Sequence, residues 1–313
     1  MTRYKVVVSD QVFPSVEVER ELLAGIGAEL TVATGDVDSV LATAADADAI
    51  LNTYLPWDAG LIARLEKCRI IARYGIGFDN VDLKAASEAG IVVTNVPDYS
   101  VEEVATHALA LILASLRKVV RADGLVRAGT WSIDNFRPIR RLSTLTVGLV
   151  GYGRIARRIA APLEALGARI IAHDPYLQPG PDLPPLLDLT TLLGEADIVS
   201  LHLPLTEETR GMIDAAALAG MKRLAILINT SRGPLVDLDA VAASLRDGHL
   251  GAAGLDVFDS EPLDPSRVDG VPNLIVTPHM AYYSEEALAE SQRKAATQVI
   301  KVLTGAKPDY QVN

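Results

Sequence analysis

A single cysteine, Cys68, leaves no partner for an intramolecular disulfide and too few thiolates for a cysteine-based metal site. Histidine is also scarce. Apart from His279 there are His107, His173, His202 and His249, whose spacing fits no metal-ligand pattern with one another or with Cys68, so no metal is expected. The 29 basic residues are outnumbered by 40 acidic ones, and the resulting net charge of −11 argues against nucleic acid as a partner while leaving room for a local basic patch. Long apolar runs are missing as well: the longest, Ala108–Leu116, falls short of the ~20 residues that cross a bilayer. Met1-Thr-Arg-Tyr-Lys leads straight into Val6-Val-Val without a secretory signal segment, so a soluble, cytoplasmic chain with no membrane partner is expected. Aromatic residues make up only 5%, which leaves Ala, Val, Leu and Ile to fill the core.

What is present is an apolar fraction of 49% in 313 residues, enough for about two domains of ordinary size. Short Val/Ile-rich runs alternate with longer Ala/Leu stretches of helical period, the pattern of an α/β protein with parallel sheets. In the first hundred residues the strand candidates are Tyr4–Val8, Ala47–Leu51, Arg69–Arg73 and Ile91–Thr94. Ser100 and Glu103 have capping-box spacing at the start of a long helix, and Pro97 just before them marks a domain crossing. A second series runs through Thr146–Val150, Arg169–His173, Asp197–Leu201, Leu224–Asn229, Ala252–Val257 and Leu274–Thr277, a complete doubly wound sheet. The Pro/Gly cluster of Leu177–Leu187 reads as a loop. Glu285–Leu303 reads as one amphipathic helix stopped at Gly305. If that helix returns to the first domain, residues 1–99 and 284–313 form one discontinuous domain and residues 100–283 are inserted into it, with the active site in the cleft between them.

Val147-Gly-Leu-Val-Gly151-Tyr152-Gly153-Arg154-Ile155-Ala156 sets a glycine turn between a strand and a helix. Gly151 permits the tight turn, Gly153 lets backbone approach a pyrophosphate, and Ala156 allows close helix–strand packing. The helix N-terminus offers free N–H groups to phosphate. Asp174 ends the next strand, eighteen residues after Ala156, where an acid hydrogen-bonds a ribose diol. Its carboxylate would repel a 2′-phosphate, and Pro175-Tyr176 supplies no cation to bind one, so NAD is favoured over NADP. Arg154 can contact the pyrophosphate, or belong with Arg157 and Arg158 to a solvated helix face.

Three further polar residues lie just past strand ends, where open α/β sheets bind their ligands: Arg232 in Asn229-Thr230-Ser231-Arg-Gly, Glu261 in Phe258-Asp-Ser-Glu-Pro, and His279 in Thr277-Pro-His. Reduction of a 2-oxo acid needs a cation to clamp the carboxylate, which Arg does with a bidentate fork, and an acid to give a proton as hydride arrives. A histidine suits that task, and a neighbouring carboxylate fixes its ring and stabilises the imidazolium. Each residue alone also fits a packed or solvated role; their joint position at successive strand ends carries the reading.

The blocks Arg73-Tyr-Gly-Ile-Gly-Phe-Asp-Asn-Val-Asp82, Asn95-Val-Pro through Glu103, the glycine turn, Asn229-Thr-Ser-Arg-Gly, Gly254-Leu-Asp256 and Thr277-Pro-His279 together resemble the NAD-dependent D-isomer-specific 2-hydroxyacid dehydrogenase family over nearly the whole chain. The resemblance implies a Rossmann NAD domain inserted into a smaller flavodoxin-like substrate domain. It implies hydride transfer between NAD(H) and a D-2-hydroxy acid/2-oxo acid pair, with His279 as proton donor, Glu261 orienting it and Arg232 holding substrate. Substrate contacts would come from Arg73, the Tyr74-Gly75-Ile76-Gly77 loop, whose backbone N–H groups make an anion nest, and Tyr282. Cofactor contacts would come from Thr106, Tyr152, Ile155, Leu203, Pro204, Thr209, Thr230, Ser231 and Asp256 besides the glycine turn and Asp174. The helix after Ser100 and the segment following it would form the interface of a homodimer.

Two branches compete. Arg137-Pro-Ile-Arg-Arg141 and Thr277 through Glu286 resemble the C-terminal-binding-protein branch, whose animal members bind NAD and act as corepressors, although that branch has Trp where this chain has Tyr282. Such a protein would be an NAD-sensing interaction module rather than an enzyme. Arg73 and Asp79-Asn80-Val-Asp82 point instead to a short phosphoglycerate dehydrogenase, without the C-terminal serine-regulated domain that many of those enzymes carry. Arg137–Arg141 reads first as a solvated loop at the dimer edge; a spare cation in the pocket, from Arg73 or, if that segment folds over a site, from Arg137 or Arg140, would favour a phosphorylated or dicarboxylic substrate, whereas an aromatic wall from Tyr74, Tyr99 or Tyr282 would favour an apolar one.

Overall fold

The computed structural model describes residues 4–313. The chain divides into two compact units, one made of the described residues up to Tyr99 together with Ser284–Asn313, the other of Ser100–Tyr283.

The first unit is built on five parallel strands, β1 (Lys5–Val8), β2 (Glu29–Val32), β3 (Ala49–Asn52), β4 (Ile70–Arg73) and β5 (Val92–Thr94), in the spatial order β2-β1-β3-β4-β5. Strands β3 and β4 are buried along their whole length, because helices cover both faces of a parallel sheet. Glu29–Val32 is a strand beyond the four expected. It lies at the edge, where only Leu30 is fully buried, so it lacks the continuous apolar run of a central strand. The Glu285–Leu303 helix packs on β3, β4 and β5, with Ser284 as N-cap accepting from the Ala287 N–H at 2.9 Å. Gly305, at φ 83°, ends it in the left-handed conformation that glycine adopts freely.

The second unit holds six parallel strands, β6 (Thr146–Val150), β7 (Arg169–His173), β8 (Ile198–Leu201), β9 (Ile226–Asn229), β10 (Ala252–Leu255) and β11 (Leu274–Val276), in the order β11-β10-β9-β8-β6-β7. The strand order reverses between β6 and β8, which makes the C-terminal ends of those strands the ligand-binding edge of a doubly wound sheet. The loop from Leu177 to Leu187 adds a single parallel bridge, Leu186 to Ala172, beside β7.

One expectation is corrected here. Ser100 does not close a capping box: its backbone stands at φ −128°, ψ 26° rather than extended, so its buried hydroxyl reaches no N–H of the Val101–Arg117 helix. The basic segment around Arg137–Arg141 does not approach the ligand-binding edge. Arg140 donates to Asp197 at 2.6 Å, and Asp197 also accepts from the Thr146 N–H at 2.9 Å, which puts this pair where β6 and β8 begin. Arg137 pairs with Asp134 at 3.1 Å. Among the described residues, no helix is long and apolar enough to cross a membrane.

Candidate active site

At the end of β6, Gly151 turns the chain at φ 82° while its N–H donates to the His173 carbonyl at 2.8 Å. A Cβ on Gly151 would lie 2.3 Å from the His202 carbonyl oxygen and 2.7 Å from its carbon, so both the conformation and the close approach of the chain after β8 require glycine. The Arg154–Ala165 helix follows with Gly153 as an N-cap that carries no side chain, and nothing lies within 4 Å of where a Gly153 Cβ would stand. Uncapped N–H groups below open space are what a pyrophosphate needs. Asp174, at the end of β7, accepts from the Tyr152 N–H and the Tyr176 N–H, each at 3.0 Å, and so braces the glycine turn. The Thr230 hydroxyl, one residue past β9, is buried without a protein partner, a polar atom that a bound dinucleotide could satisfy. These features fit NAD.

Other expected cofactor residues divide by what their side chains already do. Arg154 and Pro204 are exposed, and Ile155 and Leu203 half-buried, around the same turn and strand ends. Thr209 donates to the Pro204 carbonyl at 2.9 Å, closing the loop after β8. Thr106 donates to the carbonyls of its own helix, Glu102 at 2.9 Å and Glu103 at 3.0 Å, and the Ser231 hydroxyl donates to the Leu201 carbonyl at 2.7 Å. The Tyr152 ring packs into the core beneath the Arg157 guanidinium at 4.9 Å. Arg158 pairs with Glu102 at 3.2 Å, and with Arg157 on the ring this accounts for both as structural residues of the helix face.

Asp256 differs most from expectation. It is fully buried, and its carboxylate accepts from the Thr277 hydroxyl at 2.6 Å, the Met280 N–H at 3.0 Å and the Ala281 N–H at 2.9 Å. As a side chain it organises the turn bearing His279.

The three residues expected to do chemistry belong to the loops after β9, β10 and β11. Asn229, buried at the end of β9, accepts from the Ser231 N–H at 3.0 Å and donates to the Arg232 carbonyl at 2.8 Å, folding the loop that carries Arg232. Arg232 in turn donates from Nη1 to the Ser231 carbonyl at 2.8 Å. Glu261 Oε1 accepts from the Phe258 N–H at 2.9 Å, and its Oε2 lies 2.7 Å from His279 Nδ1. With Nδ1 anchored on the carboxylate, the proton to be exchanged with a ligand sits on Nε2. His279 stands at φ 51°, a conformation rare for a residue with a side chain, and Tyr282 meets its ring edge-on at 6.2 Å between centroids. The brace from Asn229 and the buried role of Asp256 escaped sequence reading; the polar residue at the end of an otherwise apolar β9 was the signal for the first.

Burial alone would raise the Glu261 carboxyl, but the His279 ring, the Phe258 N–H and the charge of Arg232 outweigh it and hold the group below its ordinary range. A depressed carboxyl contributes stability that is full above the unfolded value, about 4.3, and is lost as the pH falls through the folded one. Urea unfolding at a series of acidic pH values is therefore expected to show a shallower acid decline for Glu261→Gln than for wild type; parallel declines would contradict the coupling.

In the first unit, the expected substrate loop follows β4. Arg73 is buried and donates from Nε and Nη2 to the Gly77 carbonyl, at 3.0 Å and 2.8 Å, and the Tyr74 phenol donates to Glu19 at 2.7 Å in the core. Burial first, and then the Glu19 carboxylate, push that phenol well above its usual range, which keeps it a donor. Arg73 thus holds the loop, and Tyr74 anchors it. Neither side chain is a spare cation or an aromatic wall, which corrects their expected role, whereas Gly75, Ile76 and Gly77 remain partly exposed.

A family model described as "D-isomer specific 2-hydroxyacid dehydrogenase, NAD binding domain" matches residues 109–281. A D-3-phosphoglycerate dehydrogenase of Mycobacterium bovis is 39% identical over 94% of this chain and 55% of its own length. The chain thus spans about half the length of the phosphoglycerate dehydrogenases it matches. A glyoxylate reductase of Korarchaeum cryptofilum is 39% identical over 86% of this chain and 83% of its own. Among solved structures, a D-lactate dehydrogenase of Aquifex aeolicus, complexed with NAD and lactic acid, is 30% identical with a TM-score of 0.87, covering 96% of each chain.

Proposed function

Because the chain belongs to the D-isomer specific 2-hydroxyacid dehydrogenases, and residues 109–281 are that family's NAD-binding domain, we propose that it interconverts a D-2-hydroxy acid and its 2-oxo acid with NAD(H). The observation that carries this reading is the His279–Glu261 bridge of 2.7 Å, formed between two adjacent strand-end loops with Arg232 on the next. A module that only senses NAD has no chemical use for an oriented acid beside a carboxylate clamp.

When bound, the nicotinamide supplies and accepts the hydride. Gly151, Gly153, Arg154 and Ile155 would hold its pyrophosphate, Asp174 the ribose diol, and Leu203, Pro204, Thr209, Thr230 and Ser231 the surrounding faces. Arg232 binds the substrate carboxylate and polarises the carbonyl through its guanidinium fork. His279 holds the proton at Nε2 and gives it to the carbonyl oxygen as the alkoxide develops. Glu261 keeps the ring in register and stabilises its charged form when the same proton is taken back in oxidation. The backbone N–H groups of Gly75, Ile76 and Gly77 are proposed to bind carboxylate as an anion nest, and Tyr282 to contact substrate beside His279.

The chain is proposed to form a homodimer through the helix after Ser100 and the segment following it, of which Val119–Arg127 is the exposed helical part. That part buries none of its residues, and Val119, Val120, Val126, Trp131 and Ile133 are all exposed, an apolar set that water leaves unsatisfied. NADH oxidation followed by nicotinamide absorbance, over a panel of 2-oxo acids that includes a phosphorylated one, tests the activity. Turnover of at least one member is expected. Tight NADH binding with no turnover of any would favour the sensor reading instead.

A further inference from the structure

His107 lies on the Val101–Arg117 helix, outside every motif used above, yet its Nε2 is 3.0 Å from the Thr277 hydroxyl and 3.6 Å from Asp256 Oδ1. The Thr277 oxygen therefore stands between two groups, since it is also 2.6 Å from Asp256 Oδ1. A hydroxyl has one proton, and a carboxylate can only accept. The short distance to Asp256 is that of a hydroxyl donating to a carboxylate, so Thr277 can do no more than accept from His107, and His107 Nε2 must carry a hydrogen. The direction of the chain is thus determined: His107 gives to Thr277, Thr277 gives to Asp256.

Asp256 is where this chain meets the turn of His279. Its carboxylate accepts the N–H groups of Met280 and Ala281, and its backbone carbonyl accepts the N–H of His279 at 2.8 Å. His279 itself stands at φ 51°, a conformation that persists only when the surroundings hold it. The groups doing so come from three separate elements: the helix, the end of β10 and the end of β11.

We propose that His107 is a positioning residue for His279, acting through Thr277 and Asp256. The proposal rests on the reading of His279 as proton donor for its kinetic consequence, but not for its structural one. A donor at the Nε2 position keeps the Thr277 hydroxyl aimed at Asp256; without it, the hydroxyl is free to rotate, and the carboxylate loses its hold on the turn.

Three variants separate this role from simple packing. His107→Phe keeps a ring but removes the donor, His107→Gln restores an N–H near the same place, and Thr277→Val breaks the chain at its middle. Reduction kinetics, NADH affinity and amide hydrogen exchange of residues 279–281 are measured for each. His107→Phe and Thr277→Val are each expected to lower kcat by about ten- to a hundredfold, the scale of a misplaced catalytic group, with NADH affinity changed by less than about threefold. Exchange in 279–281 should quicken in both, and the double variant should be no worse than either single one, because one chain is broken once. His107→Gln should stay close to wild type in kcat and exchange. Unchanged exchange in His107→Phe, equal impairment of His107→Gln and His107→Phe, or multiplying effects in the double variant would overturn the proposal. Should the wild-type protein reduce no 2-oxo acid, the dehydrogenase reading falls, and the exchange comparison still decides this one.

Discussion

Replacing His279 with alanine is expected to lower reduction of a 2-oxo acid by about 10²–10⁴-fold, the usual contribution of a positioned general acid, while NADH binds with near wild-type affinity. The split between the two readouts follows from where the groups lie. The glycine turn, Asp174 and the loops after β8 and β9 carry the cofactor contacts proposed above, whereas His279 is fixed by Glu261 at 2.7 Å and by the Asp256 turn. Removing the ring takes away a proton donor and no phosphate contact. Steady-state turnover beside NADH titration checks this, and a variant retaining more than about a tenth of the rate would refute the assignment of His279 as the acid. Glu261→Gln should fall between the two, since it leaves a hydrogen-bond acceptor for Nδ1 but removes the charge that stabilises the imidazolium.

Gly233→Ala is expected to be the most destabilising single methyl. Gly233 is buried beside Arg232, and a Cβ there would lie 1.9 Å from the Phe258 carbonyl carbon and 2.0 Å from its oxygen. The obstacle is backbone, so no rotamer change relieves it; the loop bearing Arg232 or the loop bearing Glu261 must move. A cost of about 3 kcal/mol or more is expected. For a unit of this size that corresponds to a fall in melting temperature of roughly 6–12 °C. Turnover should fall with it, because the displaced loops are those that set the Arg232 clamp and the Glu261 carboxylate that orients His279. Thermal unfolding that leaves Gly233→Ala within about 1 kcal/mol of wild type would show that the two loops are not held as closely as described.

Much of the second unit was legible in the sequence because its strands are buried on both faces and read as predominantly apolar runs, as in Ile198–Leu201, interrupted only by Ser200, and Ile226–Asn229, apolar up to Asn229. Glu29–Val32 was not, because an edge strand half open to water needs only two apolar residues, Leu30 and Val32, and those carry no pattern. The glycine turn was legible for a related reason: backbone crowding at Gly151 leaves glycine as the residue that fits, so the requirement is printed in the residue type.

Side-chain direction was the harder matter. Arg73 and Tyr74 stand in a motif that resemblance ties to substrate, yet their side chains turn inward to brace the loop, while Gly75, Ile76 and Gly77 stay partly exposed. Charge along Arg137–Arg141 says nothing about which end of a sheet the segment passes, and Asp197 draws Arg140 to the end away from the chemistry. The resemblance implies Asp256 as a cofactor contact, but its bonds to Thr277, Met280 and Ala281 depend on partners distant in the chain. His107 is the reverse case, a residue with no local signal whose meaning comes entirely from what the Val101–Arg117 helix packs against.

The most direct measurement supplies the protein with a 2-oxo acid and with NADH carrying deuterium at the transferable position, then determines the position and configuration of the label in the product. Deuterium at C2 of the D-enantiomer is the predicted result, with the same product formed about 10²–10⁴-fold more slowly by His279→Ala. Absence of the label from C2, or an L-configured product, would contradict the account.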